Sequence, residues 1–138
     1  KPILVGDDRL FKGTPAWRDA PLAAGWLRAL SDAPLRAAVQ AIHGNPERRW
    51  SVEGLAEVAG LSRSTFAQRF KLQMSMGPLE YVLRWRMLLA AQELRQGGRT
   101  VSAIAERLGY DSDSAFSSAF KRIMACSPSR YRVQQAAR

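Results

Sequence analysis

The apolar residues of the chain recur with the spacing of amphipathic helices. Between residues 35 and 42 they fall every three or four positions, Pro34 stands in the first turn, and Gly44 follows the last apolar residue. This is the period of a helix with one buried face, and either Ser31 or Asp32 can cap its start. The pattern predicts a first helix here, and no convincing strand pattern follows Ser31.

Six further helices are predicted by the same signals. They begin at or just after Ser51, Ser62, Gly77, Thr100, Ser112 or Asp113, and Ser127. Glycines end three of them, at Gly60, Gly97 and Gly109. The helix that opens at Gly77 has about 19 residues and, at ~1.5 Å per residue, spans roughly 28 Å. The sequence therefore predicts an all-α chain of about seven helices.

Two parts of the chain nearly repeat each other. SVEGLAEVAG (51–60) aligns with TVSAIAERLG (100–109) at an offset of 49 residues, and SRSTFAQRFK (62–71) aligns with SDSAFSSAFK (112–121) at an offset of 50. The second turn therefore holds one extra residue. Each unit is a short helix, a glycine turn and a helix with two Phe anchors, which indicates a helix-turn-helix. A solenoid would need about three repeats and is disfavoured.

The repeat divides the chain into four regions. They are a linker or remnant of an upstream region (1–31), a first helix-turn-helix subdomain (32–76), a connecting helix (77–97) and a second helix-turn-helix subdomain (98–138). The chain begins with Lys1, and its first stretch contains Gly and Pro without sustained periodicity. We therefore expect the natural protein to extend further toward its N-terminus.

The charge balance is strongly basic. The chain has 21 Lys and Arg against 12 Asp and Glu, a net charge of +9, and most of the excess lies in single arginines after Asp32. This pattern favours a nucleic-acid partner over a generally cationic surface or a basic amphipathic helix on a membrane. No apolar run approaches the ~18 residues of a membrane-spanning helix, and no signal segment opens the chain, so we expect a soluble intracellular protein.

Candidate catalytic groups are few. Cys126 and His43 are the only residues of their types, which rules out a disulfide framework within one chain and a Cys-rich zinc site. A nucleophilic pair of these two residues is conceivable, but His43 is predicted to end a helix and Cys126 to lie in a turn. No GxSxG, SxxK or phosphate-loop motif is present. We expect no enzymatic activity, metal or cofactor.

A family resemblance follows from the second repeat unit. GYDSDSAFSSAFKRIMACSPSRYR (109–132) is similar to the signature of the AraC/XylS family of bacterial transcription regulators, and the resemblance extends over about residues 35–132. It implies two helix-turn-helix subdomains bridged by a central helix, binding to double-stranded DNA, and transcription regulation, usually activation, in the bacterial cytoplasm. RNA polymerase is a further candidate partner.

The resemblance also concerns what lies upstream. GWLRALSDAPLRAAVQAIHGNPERRW (25–50) is similar to the linker of members that carry a cupin-like effector domain, which this chain lacks. Any effector ligand is therefore expected to bind that missing domain.

Three residues depart from the family pattern: Ser118 stands where Arg is frequent, and Ala125 and Ser75 stand where Gly is usual. Ser118 thus removes a long cationic donor from the outward face of the second recognition helix.

The residues predicted to bind DNA lie on the outward faces of the two recognition helices. They are Arg63, Ser64, Thr65, Ala67, Gln68, Arg69 and Lys71 on the first, and Asp113, Ser114, Ser117, Ser118, Lys121 and Arg122 on the second. Gln68 can pair with adenine, and Asp113 can accept from cytosine. Arg63 suits guanine or a phosphate, and Ala67 suits a thymine methyl group. The phosphate contacts are assigned to Arg69, Lys71, Lys121 and Arg122.

The sequence thus predicts sequence-specific binding of double-stranded DNA at two adjacent major-groove segments. Two other functions stay open: non-specific binding of nucleic acid by charge alone, and a protein-interaction module. For each single residue of the predicted interface, a solvated surface side chain is the alternative.

Overall fold

A computed structural model of the protein describes residue 29 and residues 31–136. In that part of the chain it contains seven helices and no strand: α1 (Ala33–Gly44), α2 (Val52–Ala59), α3 (Arg63–Met74), α4 (Pro78–Gln96), α5 (Val101–Arg107), α6 (Asp113–Met124) and α7 (Pro128–Ala136). The predicted all-α fold of about seven helices is confirmed. The predicted region 1–31 lies almost wholly outside the described residues.

The helix starts follow the capping residues of the sequence. A side-chain oxygen accepts a hydrogen bond from the backbone N–H three residues on at Asp32, Ser51, Ser62, Thr100 and Ser112. Ser127 does the same at the start of α7. These bonds satisfy amide groups that the first turn of a helix leaves without a partner. Asp32, and not Ser31, is thus the cap of α1.

The two glycine turns are close copies. Gly60 and Gly109 have φ of 73° and 85°, in the left-handed region that only glycine adopts easily. In each turn the following N–H bonds back to a helix carbonyl at 3.0 Å: Leu61 to Ala56, and Tyr110 to Ala105. Helix α5 ends at Arg107, two residues before the glycine at which the sequence predicted its end.

Helix α4 is the common support of both halves. It packs against α2 and α3 of the first subdomain and against α5, α6 and α7 of the second. Ten of its 19 residues are buried, so it is apolar on most sides and not on one stripe only. Its 19 residues agree with the length predicted from the sequence.

The aromatic anchors also repeat. The rings of Phe66 and Phe70 lie 5.5 Å apart, and Tyr81 meets Phe70 edge-on at 5.8 Å. The second half reproduces this arrangement, with separations of 5.9 and 5.6 Å, in the triplet Phe116, Phe120 and Tyr131. Such tilted and edge-on pairs are the favoured geometries of aromatic side chains. Helix α3 therefore packs on the start of α4 in the same way as α6 packs on the start of α7.

The first subdomain holds a buried histidine. His43 Nε2 lies 2.6 Å from the Tyr81 hydroxyl, and its ring stacks on Trp85 at 3.8 Å. Burial lowers the pKa of His43 from 6.5 to about 3, because the charged imidazolium cannot be solvated there. His43 is thus a neutral core residue in the last turn of α1.

Candidate nucleic-acid interface

The outward face of α3 is polar and open to solvent. Ser64, Thr65, Gln68 and Lys71 are exposed, whereas Ala67 is half-buried at the edge of the packed face. Phe66, Phe70 and Met74 hold the opposite face in the core. Lys71 makes no ion pair with any of the described residues, which leaves its ammonium group available to a phosphate.

Two arginines of α3 already have carboxylate partners. Arg63 pairs with Glu53 of α2 at 2.7 Å, and both side chains are about two-thirds exposed. An ion pair this exposed contributes little stability, and Arg63 can exchange it for DNA. Arg69 donates two hydrogen bonds to Asp32, at 2.8 and 3.1 Å, and that carboxylate is only 10% exposed. Because Asp32 also caps α1, Arg69 ties α1 to α3, and its predicted phosphate contact stays a prediction.

Leu72 is an outward residue of α3 that the sequence reasoning did not include. Its side chain is 79% exposed, and it follows Gln68 by one helical turn. The spacing from Gln68 was the signal that could have revealed it. An apolar side chain at this place adds a surface that suits a thymine methyl group or a sugar.

The outward face of α6 carries less positive charge. Ser114, Ser118 and Lys121 are exposed, and Ser117 is half-buried. Asp113, the first residue of the helix, accepts a hydrogen bond from the Ser102 hydroxyl of α5. A carboxylate there interacts favourably with the helix N-terminus but unfavourably with a nearby phosphate. The polar side chains that α6 presents outward ahead of Lys121 are therefore its serines and Asp113.

Arg122 points from α6 toward the connecting helix. Its guanidinium lies 3.6 Å from Glu80, which also pairs with Arg84 at 2.9 Å. The Arg122 side chain is 61% exposed, so this ion pair is weak and the guanidinium is accessible. Lys121, beside it, makes no ion pair with the residues that the structure describes.

Neither a metal centre nor a membrane span is found in the described residues. No group of three or more His, Cys, Asp or Glu side chains in residues 29 and 31–136 is placed to hold a metal ion. No helix in that same part is long and apolar enough to cross a bilayer.

Comparison with known proteins decides the family. A helix-turn-helix domain model matches residues 55–134, which include both recognition helices. The chain belongs to the AraC family of helix-turn-helix regulators. Members of this family regulate transcription, and the family is not a class of enzymes. The resemblance seen in residues 109–132 is thereby confirmed.

Curated relatives agree with this assignment. The chain is 48% identical over 109 residues to a putative AraC-like transcription regulator of Streptomyces lividans and 43% identical over 109 residues to the regulator AlkR of Acinetobacter baylyi. Each alignment covers 79% of this chain and 36% of the relative. It is also 39% identical over 98 residues, 71% of this chain and 34% of the relative, to the RCS-specific transcriptional activator RclR of Escherichia coli. The chain thus spans about a third of the length of the curated relatives it matches.

Solved structures share the fold over most of the chain. An AraC-type transcriptional regulator from Chromobacterium violaceum matches with a TM-score of 0.72 and 30% identity, covering 78% of this chain and 96% of that one. The DNA-binding domain of AdpA, a global transcriptional factor, was solved in complex with a target DNA. It matches with a TM-score of 0.70 and 31% identity, covering 77% of this chain and 95% of its own.

Proposed function

We propose that this domain binds double-stranded DNA sequence-specifically and reads two adjacent major-groove segments, one with α3 and one with α6. The observation that carries the proposal is the exposed polar face on each recognition helix, opposite aromatic anchors with the same geometry. A major groove admits one helix and offers a distinct pattern of donors and acceptors at each base pair. The DNA complex of the AdpA domain, which is similar in fold, supports the same partner for this chain.

The two recognition helices contribute differently in this proposal. Gln68 and Arg63 of α3 supply base-edge donors, and Lys71 supplies a phosphate contact. On α6, Asp113 and the serines read bases, and Lys121 and Arg122 contact phosphates. Because a single chain carries two different reading faces, the site is non-palindromic and covers about two helical turns of DNA.

The complete protein is proposed to be a transcription regulator of the bacterial cytoplasm, and an activator like its relative RclR. RNA polymerase is its second proposed partner. An effector, where there is one, binds a part of the protein outside this chain. These roles rest on family membership, whereas DNA reading rests on the residues of α3 and α6.

Two variants of α3 test the assigned roles. Gln68→Ala should relax the preference at one base pair, at a cost of about 1–3 kcal/mol on the selected site, because it removes a base-edge contact. Lys71→Ala should weaken all duplexes alike and lower the slope of log K against log salt by about one, because it removes a phosphate contact. Both are measured by fluorescence anisotropy on a duplex selected from a random library and on a scrambled one.

The selection also tests the footprint. Bound sequences should specify two segments within about two helical turns. Equal losses on selected and scrambled DNA for both variants would contradict the assigned roles. Selection that returns no preferred sequence would favour a non-specific binder, and no binding at low salt would favour a protein-interaction module.

A further inference from the structure

The loop between α1 and α2 reaches the second subdomain. This loop, residues 45–50, is ordered by its own hydrogen bonds: Trp50 Nε1 donates to the Asn45 carbonyl at 2.9 Å, and Arg48 N donates to the same carbonyl at 3.2 Å. The Arg48 guanidinium also lies over the Trp50 ring, 4.7 Å from its centre. The loop is therefore held by contacts among its own residues.

Arg86, in the middle of α4, fastens this loop to the connecting helix. Its Nε donates to the Pro46 carbonyl at 2.6 Å, and its Nη2 donates to the Arg48 carbonyl at 2.7 Å. The same guanidinium lies 5.5 Å from the centre of the Tyr110 ring, in the turn between α5 and α6. Burial raises the pKa of the Tyr110 hydroxyl, and Arg86 opposes this shift. One side chain thus contacts both subdomains.

The loop and the second turn also touch directly. A Cβ atom built on Gly109 would lie 2.3 Å from the Glu47 carbonyl oxygen and 3.0 Å from its carbon, so only glycine allows this approach. Beside it, Arg49 Nη2 donates to both carboxylate oxygens of Asp111 at 2.7 and 2.8 Å. Both side chains are nearly four-fifths exposed, so this ion pair adds little to the connection. Asp111 is the residue by which the second turn is longer than the first. The repeat is thus broken at the point where its two copies meet.

Apolar packing does not fill this junction. An open cleft of about 350 Å³, lined in part by Leu79, Leu83 and Arg86, lies between the subdomains. Every extensive helix–helix contact between the two halves of the described chain is made through α4. The guanidinium of Arg86 and the close approach of Gly109 to the Glu47 carbonyl are therefore the direct contacts that can fix one subdomain against the other.

We propose that the contacts of Arg86, residues 45–50 and residues 109–111 form an inter-subdomain clamp, which sets the spacing of DNA segments that the domain accepts. The proposal rests on the function proposed above, that α3 and α6 read neighbouring major grooves. A clamped pair of recognition helices tolerates one separation and one rotation between the two segments. Without the clamp the second helix is less well placed, and its effective concentration at the DNA falls. Arg86 and Gly109 act here as positioning residues that touch no DNA.

The chain offers a matched pair of variants for the test. Gly109→Ala and Gly60→Ala both place a Cβ at a left-handed residue, with φ of 85° and 73°. The Cβ at Gly60 meets nothing within 4 Å, whereas the one at Gly109 meets the Glu47 backbone. Both variants carry the same kind of backbone strain, but only Gly109→Ala forces the clamp apart. Arg86→Gln is a second variant, which removes the guanidinium without changing the turn.

The experiment measures affinity for the selected site, for sites with one base pair added or removed between the two segments, and for the α3 segment alone. Thermal unfolding first establishes that each variant is folded. For wild type and Gly60→Ala we expect about a tenfold loss on changing the spacing, since one base pair displaces the second groove by about 3.4 Å and rotates it by roughly 35°. For Gly109→Ala and Arg86→Gln the loss should shrink to less than about threefold, or the preferred spacing should change. Binding to the α3 segment alone should not change.

If folded Arg86→Gln or Gly109→Ala loses as much affinity as wild type when the spacing of the two DNA segments changes, the clamp is overturned and the proposed function stays intact. An equal fall of affinity on all duplexes, including the α3 segment alone, would overturn it too, because that result indicates a structural role only. A wild-type domain that binds selected and scrambled DNA equally would overturn the proposed function and the clamp together.

Discussion

His43 shows how a core residue outside the proposed DNA interface can make the stability of the protein depend on pH. It is 4% exposed, and its pKa is lowered from 6.5 to about 3 by burial. Above pH ~6.5 the imidazole is neutral in both the folded and the unfolded chain, and pH has no effect through it. Below that pH the unfolded chain binds a proton that the folded chain excludes, so the free energy of unfolding falls with decreasing pH until about 3.

This gives a prediction for stability. Between pH 7 and pH 5 the wild type should lose about 2 kcal/mol relative to His43→Gln, which does not titrate. Carboxylates that titrate in this range contribute to both proteins and cancel in the difference. Urea unfolding at pH 7, 6 and 5 measures it. If the free energy of unfolding falls equally with pH in both proteins, His43 accepts a proton in the folded state as readily as in the unfolded chain.

Single residues also mark the limit of what the sequence could reveal about the site. Gln68 and Lys71 could be placed on the exposed face because the buried Phe residues fix the orientation of α3. The engagement of Arg69 with Asp32 could not be foreseen, because the two are 37 positions apart and no periodic pattern links them. The roles of Gln68, Arg69 and Lys71 toward DNA stay predictions.

At the scale of the element, the helices were predictable because their determinants are local. Each capping side chain and each glycine turn acts within about four residues, and the buried faces follow the helical period. The exception in detail is α5, whose last turn ends at Arg107 because Leu108 departs from helical geometry, with φ −91° and ψ 7°. Contacts between residues far apart in the sequence have no local signal, and those of Arg86 and of residues 45–50 with residues 109–111 were therefore not predicted.

The ends of α3 and α6 make a prediction at this scale. Ser75 and Ala125 have φ of 64° and 67°, a left-handed conformation that strains residues with a Cβ by about 1–2 kcal/mol. Glycine removes the strain but makes the unfolded chain more flexible, by about 0.4–1 kcal/mol. Ser75→Gly and Ala125→Gly should therefore each raise the free energy of unfolding by roughly 0.5–1 kcal/mol.

Urea unfolding of these two variants beside Asn45→Gly tests the reasoning. Asn45 ends α1 with φ of −139°, where any residue fits, so glycine there should lower stability. A similar decrease in all three variants would show that the positive φ angles carry no strain. Such stabilised forms would resemble the family pattern, in which glycine is usual at both positions.

At the scale of the whole molecule, the connecting helix and the DNA do not match in length. The 19 residues of α4 span roughly 28 Å, whereas successive major grooves on one face of DNA are about 34 Å apart. If α3 and α6 are held at about that separation, we expect the duplex to bend toward the protein when both grooves are engaged, at a cost of about 1–6 kcal/mol. The contacts of α6 must offset that cost.

Since the outward face of α6 is weakly cationic, a positive charge added there should raise the affinity for DNA measurably. Ser118→Arg places a guanidinium on the exposed face of α6 and should raise affinity for the two-segment site about tenfold, through one charge-assisted hydrogen bond to a phosphate. Affinity for the α3 segment alone should stay the same, because α6 does not touch that duplex.

Gel mobility of circularly permuted fragments should show a bend with the two-segment site, in wild type and variant alike. A straight duplex would mean that α3 alone inserts, and an equal gain on both duplexes would place the new arginine outside the second groove.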